Sequence, residues 1–286
     1  MKLLFSVTMN AITVASLYFL VASGFSLIFG LLRSVNMAHG ALYLLGAYSG
    51  YEIALKTGSW LAGLGGACLL VALVGVVLHQ TLVKRLAGDE LRQALVTIGF
   101  SIVLGDLLLI RYGGATVQYE PPEAIFDATP FPIIGAYPTI RLVVIAVAVV
   151  VGLLLWALIQ KTRLGMAIRA GVDDAPILGA MGFNVSRYVL AVFALGAGLA
   201  GLAGVIGGSA LSVAPGEDSR FLLSSLVVVI VGGMGSLPGA ALGAVLIGFT
   251  EQFGLAFFPN YAILMTFVLM VAVLAFRPQG LMGRAV

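Results

Sequence analysis

Apolar residues run in long unbroken stretches along this chain, roughly 8–31, 38–56, 60–83, 93–112, 140–160, 187–208, 221–235, 237–253 and 260–276. A helix needs about 20 such residues to cross a bilayer. The pattern therefore predicts an all-α, polytopic transmembrane helical bundle of about eight or nine spans, with the seventh and eighth short and interrupted by glycine. Ten-residue segments of alternating polarity, the mark of a membrane barrel, are not what the stretches look like. Residues 1–286 read as a single transmembrane domain. Lys2 followed by Leu3 to Phe29 is too long an apolar stretch for the core of a signal peptide, so it reads as a retained first helix.

Two polar breaks resemble each other. Arg33-Ser34-Val35-Asn36-Met37-Ala38-His39-Gly40 interrupts an apolar run near the N-terminus, and Gly232-Gly233-Met234-Gly235-Ser236-Leu237-Pro238-Gly239 interrupts one near the C-terminus. Paired interruptions in two pseudo-repeated halves point to a transport site, because a broken helix turns backbone groups and helix ends toward a cavity. Two ordinary turns on the same face are the plainer alternative.

Composition settles the solvent. Hydrophobic residues make up 61% of the chain and charged ones 9%, and the mean hydropathy is +1.13. A soluble domain carries about a quarter charged residues; this one has too few to cover a polar surface, so the bilayer is its environment. The net charge of +3 is spread over loops, with no basic face or aromatic interleaving that would suit nucleic acid. It reads instead as topology. Arg33, Lys84, Arg85, Arg92, Lys161, Arg163, Arg169, Arg187, Arg277 and Arg284 fall in alternate loops, which places those loops in the cytoplasm of a bacterial inner (plasma) membrane. The acidic segments 113–139, with Glu120, Glu123 and Asp127, and 209–220, with Glu217 and Asp218, then lie outside, as does the N-terminus.

Catalytic chemistry is hard to find. The chain has no phosphate-cradling Gly-x-x-x-x-Gly-Lys-Ser/Thr loop, and its two histidines, His39 and His79, have no ligand partners at metal spacing. No catalytic residue, metal ligand or cofactor is expected, and Cys68 reads as a small core residue. Ionisable residues within spans are candidates for function by default. That singles out Asp106 and Glu251, with an interfacial pairing of Asp106 with Arg111 as the structural alternative for the first. Asn36, His39 and Gly40 at the first break, and Gly235 and Gly239 at the second, complete the expected substrate path. Glu52 and Lys56, four apart, are expected to pair at an outer helix end. Gly46 with Gly50, Gly204 with Gly208, and Gly239 with Gly243 have the spacing that lets helix backbones approach closely.

The segment 162–187, TRLGMAIRAGVDDAPILGAMGFNVSR, combines clustered charges with Met166, Ile168, Ile177, Leu178 and Met181. This composition suits either a short cytoplasmic helix that docks on another protein or an ordinary amphipathic connection. Its pattern from Arg163 through Arg169, Ala170, Asp173, Asp174 and Ala180 to Gly182 resembles the cytoplasmic coupling segment of branched-chain amino acid ABC permeases. Four other stretches resemble the same family in the same order: Asn36 to Gly40 with Gly46-Ala47-Tyr48, Gly196 to Gly208, Gly232 to Gly239 ending at Glu251, and Phe276-Arg277-Pro278-Gln279-Gly280-Leu281. Phe183 departs from the isoleucine usual there, and 113–139 carries no matching signature.

The resemblance implies a permease subunit that pairs with a second homologous permease, two cytoplasmic ATP-binding subunits and a periplasmic substrate-binding protein. Arg163, Arg169, Asp173, Asp174 and Gly182 would couple it to the ATPases. The implied solutes are branched-chain or other amino acids, urea, amides or small carboxylates. An autonomous secondary transporter or channel, using Asp106, Glu251 or His39 for ion coupling, stands as the alternative.

Overall fold

The computed structural model describes residues 1–32, 35–131, 135–180 and 183–283. Its helices are α1 (Lys2–Leu32), α2 (His39–Thr57), α3 (Trp60–Leu78), α4 (Glu90–Tyr112), the short α5 (Glu123–Phe126), α6 (Thr139–Lys161), α7 (Arg163–Ala180), α8 (Val185–Leu211), α9 (Glu217–Gly232), α10 (Leu237–Phe257) and α11 (Ala262–Phe276). A small antiparallel hairpin of β1 (Ala128–Phe131) and β2 (Gly135–Pro138) precedes α6, with Thr129 opposite Tyr137. Beyond α3 the helix continues as one wide turn over His79–Val83 and one tight turn over Lys84–Leu86.

Polar residues next to the apolar runs set where helices start. Ser59, Asp89, Asn184 and Ser236 each accept a hydrogen bond from a backbone N–H three residues on, which satisfies one of the free donors at the start of α3, α4, α8 and α10. Gly58, at φ +67°, ends α2 by donating its N–H to the Ala54 carbonyl.

Among the described residues, seven helices are long and apolar enough to cross a membrane: α1, α3 with its extension to Leu86, α4, α6, α8, α10 and α11 with the turn before it. The remaining two of the nine apolar stretches are α2, which carries His39, Glu52 and Lys56, and α9, which has only 16 residues. Both lie inside the bundle, α2 against α3, α8 and α9, and α9 against α1, α2 and α10. The centre is built from α1 and α8, which bury 72% and 61% of their most apolar stretches. In α3, α4, α6 and α11 the buried share falls to between 28% and 6%, so these helices form the lipid-facing shell.

Glycine makes the central contacts possible. Gly46 of α2 lies against the Gly201 backbone of α8, and Gly204 of α8 lies against the Tyr43 carbonyl of α2, so a side chain at either position would collide with main chain. Tyr137 of the hairpin bonds Thr13 of α1 at 2.9 Å, which puts the N-terminal end of α1 on the same face as the acidic 113–139 segment. On the opposite face, Leu281 and Met282 donate backbone N–H groups to the carbonyls of Val231 and Gly232, so the C-terminal tail closes the inner end of α9.

Candidate translocation site

After α1 the chain does not simply turn back at the membrane surface. His39, at the start of α2, is wholly buried, and its Nε2 lies 3.0 Å from the carbonyl oxygen of Val21. Val21 stands eleven residues before the inner end of α1, or about 16 Å at 1.5 Å per residue. The segment leading to α2 therefore climbs back into the bundle, and α2 begins deep within it. Asn36 is buried and its Oδ1 accepts from the Ala38 N–H at 3.1 Å, while the Met37 N–H donates to Thr97 of α4 at 3.1 Å. The His39 ring meets Phe25 edge-on at 5.5 Å.

Gly40, the next residue, packs directly under the Asp218 carbonyl in the first turn of α9. A helix of 16 residues is about 24 Å long, short of the roughly 30 Å hydrocarbon core. Because the tail holds its inner end, the outer end of α9 also lies at depth, and the charges of its first turns lie there with it.

Those charges form one cluster. Arg220 Nη1 stands 3.4 Å from Glu217 and its Nη2 3.5 Å from Glu251 of α10. Tyr18 of α1 donates its hydroxyl to the other Glu251 oxygen at 2.5 Å. Beside them the Tyr43 and Phe221 rings lie 4.1 Å apart, and the Asp218 carboxylate faces Gly105 of α4. The Arg220 side chain is 51% exposed and that of Glu251 16%. A single charge facing hydrocarbon at the bilayer centre costs about 2.5–3.5 kcal/mol on insertion scales, so this half-open cluster belongs on a polar path or a protein interface, not against lipid.

The expected path residues divide into two groups. Gly40 and Glu251 meet through the first turns of α9, and Asp106 is exposed on α4 next to Gly105. Asp106 does not pair with Arg111, which instead bonds Glu52 at 3.0 Å, where Lys56 also reaches at 2.7 Å and Tyr112 donates at 2.6 Å. The second group lies at the inner end. Gly235, at φ +79°, packs on Gly30 of α1, and Gly239 packs on the Gly232 carbonyl. Twelve residues of α10 separate Gly239 from Glu251, about 18 Å.

On the inner face, α7 follows α6 after a single residue, Thr162, and buries Ala167 and Ile168 while Met166 stays exposed. Arg163 is exposed. Arg169 folds back and donates to the Ile159 carbonyl and, at 3.1 Å, to Gln160 Oε1, so it fixes α7 to the end of α6. The side chains of Asp173 and Asp174, and Gly182, lie outside the described residues.

The family model for the branched-chain amino acid transport system / permease component matches residues 7–274. This chain belongs to that family. It is 30% identical to the high-affinity branched-chain amino acid transport system permease protein BraD of Pseudomonas aeruginosa, over 96% of this chain and 94% of that protein. It is 27% identical to the LivH permease protein of Escherichia coli K12, over 96% and 94%. It is 28% identical to LivM of the same organism, over 96% of this chain and 70% of LivM. A chain in the structure of PsaBC from Streptococcus pneumoniae in complex with Fab shares the fold, with a TM-score of 0.54, 16% identity, and 94% and 91% of the two chains covered.

Within this multi-pass permease, the sequence pattern does not reveal Tyr18 and Arg220 as partners of Glu251, nor Tyr43 and Asp218 around the first turns of α9. It assigned Asp218 and Arg220 to an outer loop. One signal pointed the other way: the apolar run that follows them, 221–235, is too short to span the membrane alone, so its charged end has to sit inside.

Proposed function

We propose that this chain is a membrane-spanning permease subunit of an ATP-driven importer that moves branched-chain or closely related amino acids into the cytoplasm by alternating access. The observation that carries this reading is the family match over residues 7–274. The deep cluster of Tyr18, Arg220 and Glu251 supports it, since a path for a polar solute needs ionic groups where a lipid-facing helix would have none.

The working assembly consists of this subunit, a second homologous permease, two cytoplasmic ATP-binding subunits and a periplasmic substrate-binding protein. The similarity of the chain to both LivH and LivM supports pairing of two related permeases. Residues 1–286 act as one permease domain, and the ATPases supply the chemical step.

Within it, the α7 segment receives the motion of the ATPases. Arg163 is exposed for contact, while Arg169 works from behind by joining α7 to α6, so that displacement of the docked helix pulls on a spanning one. Asp173, Asp174 and Gly182 belong to the same coupling surface. Gly40, Asp106 and Glu251 border the path near its middle, and Asn36 and His39 hold the start of α2 at that depth.

Affinity capture of the tagged protein from native membranes, with the co-purifying chains identified by mass spectrometry, tests the reading. Recovery of an ATP-binding subunit and a related permease is the expected result. Recovery of the chain alone in mild detergent, with solute flux that follows an ion gradient, would replace the importer with a secondary transporter.

A further inference from the structure

We propose that Arg220, flanked by Glu217 and Glu251, reads the solute in this path as a zwitterion; the proposal rests on the importer reading above. The guanidinium takes the carboxylate of an α-amino acid, and the flanking carboxylates take its ammonium group.

Geometry carries the assignment. Arg220 makes two ion contacts, 3.4 Å to Glu217 on its own helix and 3.5 Å to Glu251 on α10. Charge-assisted hydrogen bonds settle at about 2.7–2.9 Å, so neither carboxylate has closed on the guanidinium and its planar fork keeps donors to offer. Glu251 is held differently: Tyr18 occupies one of its oxygens at 2.5 Å and leaves the other turned toward Arg220. Tyr18 thus fixes the carboxylate in place while Arg220, half-exposed, stays adjustable.

Position and charge agree with this. The cluster stands beside the buried start of α2, where Gly40 lets the backbone of α9 come against α2. Leu223, one turn along α9 from Arg220, is 54% exposed and offers apolar surface on the same helix. A solute with both charges on one carbon and an apolar side chain matches these features. A neutral amide offers the guanidinium no carboxylate, and a simple carboxylate brings a third negative charge next to Glu217 and Glu251 with no ammonium group to offset it. Sites of this kind discriminate because an imperfect solute leaves desolvated polar groups unpaired.

The competing interpretation is a brace, in which Arg220 and Glu251 only tie α9 to α10. Reconstitution of the complete importer in lipid vesicles, with saturating leucine-loaded binding protein, separates the two. Both leucine uptake and ATP hydrolysis are measured. Arg220→Gln should lower uptake per ATP hydrolysed by about tenfold or more while complex recovery and stimulated hydrolysis persist. The charge-swapped pair R220E with E251R should not restore uptake, because the Tyr18 contact and the order of charges along the path are lost. If Arg220→Gln prevents assembly, Arg220→Lys keeps the charge without the fork and is expected to reduce uptake per ATP. Wild-type coupling in Arg220→Gln or Arg220→Lys, or full recovery in the swapped pair, would overturn the assignment. A wild-type complex that moves no amino acid would instead defeat the importer reading itself.

Discussion

Between α1 and α2 the chain returns into the bundle, so that Asn36 and His39 are buried and α2 starts opposite the middle of α1. Between α9 and α10 it turns at the inner face, where Gly233 and Gly235 take positive φ and the C-terminal tail bonds the end of α9. Both connections are short and flanked by apolar arms. The difference lies in what satisfies their backbones. In the first, side chains accept from the backbone, its own Asn36 for the Ala38 N–H and Thr97 of the neighbouring α4 for the Met37 N–H, so it can stay away from water. The second has only Ser236 to cap α10 and relies on the tail, so it stays at the surface. A break whose backbone donors meet side-chain acceptors within the bundle can be placed at depth.

Substitutions can break this comparison, and the largest effect is expected at Gly40. Gly40→Val would drive a branched side chain into the Asp218 backbone and push α9 from α2. A loss of about 3 kcal/mol should appear as a sharply lower thermal midpoint in detergent, with transport lost as well. His39→Leu removes the contact with the Val21 carbonyl in a fully buried place. It should destabilise by about 2 kcal/mol, read in the same assay.

At the second break, effects should be milder. Gly235→Ala forces a side chain into the left-handed region, with its Cβ 3.0 Å from the Gly30 Cα, for about 1 kcal/mol. Ser236→Ala removes the cap of α10 and should cost about 0.5–1 kcal/mol. If the two surface substitutions shifted the midpoint more than the two buried ones, the assignment of depth would be wrong.

Much of this architecture could be read from residues alone. Hydrophobic length located every spanning helix, because lipid leaves no other way to satisfy a backbone over 20 apolar residues. The Lys56 and Glu52 pair followed from helix spacing and is present at 2.7 Å. Depth was not legible. An apolar run has the same appearance whether it begins at the membrane surface or at its middle, so Arg220 and Asp218 read as loop residues although α9 carries them into the bundle.

Long-range partners were hidden for a related reason. Arg111 stands one turn from Asp106 in sequence, yet it bonds Glu52 of α2, because the outer ends of α2 and α4 meet. Arg169 suited a docking surface by its place in the motif, but its reach back to Ile159 and Gln160 depends on how sharply α7 leaves α6 at Thr162. The hairpin before α6 is four residues per strand, with prolines in both, too short and too proline-rich for strand periodicity to register.

The most direct test is leucine uptake into vesicles that hold the complete complex, followed with ATP and with a non-hydrolysable analogue. Accumulation that requires hydrolysis and is lost in Gly40→Val while His-tagged complex of the Ser236→Ala protein still accumulates solute is the predicted result. Uptake that persists without hydrolysis and follows an imposed ion gradient would contradict the account.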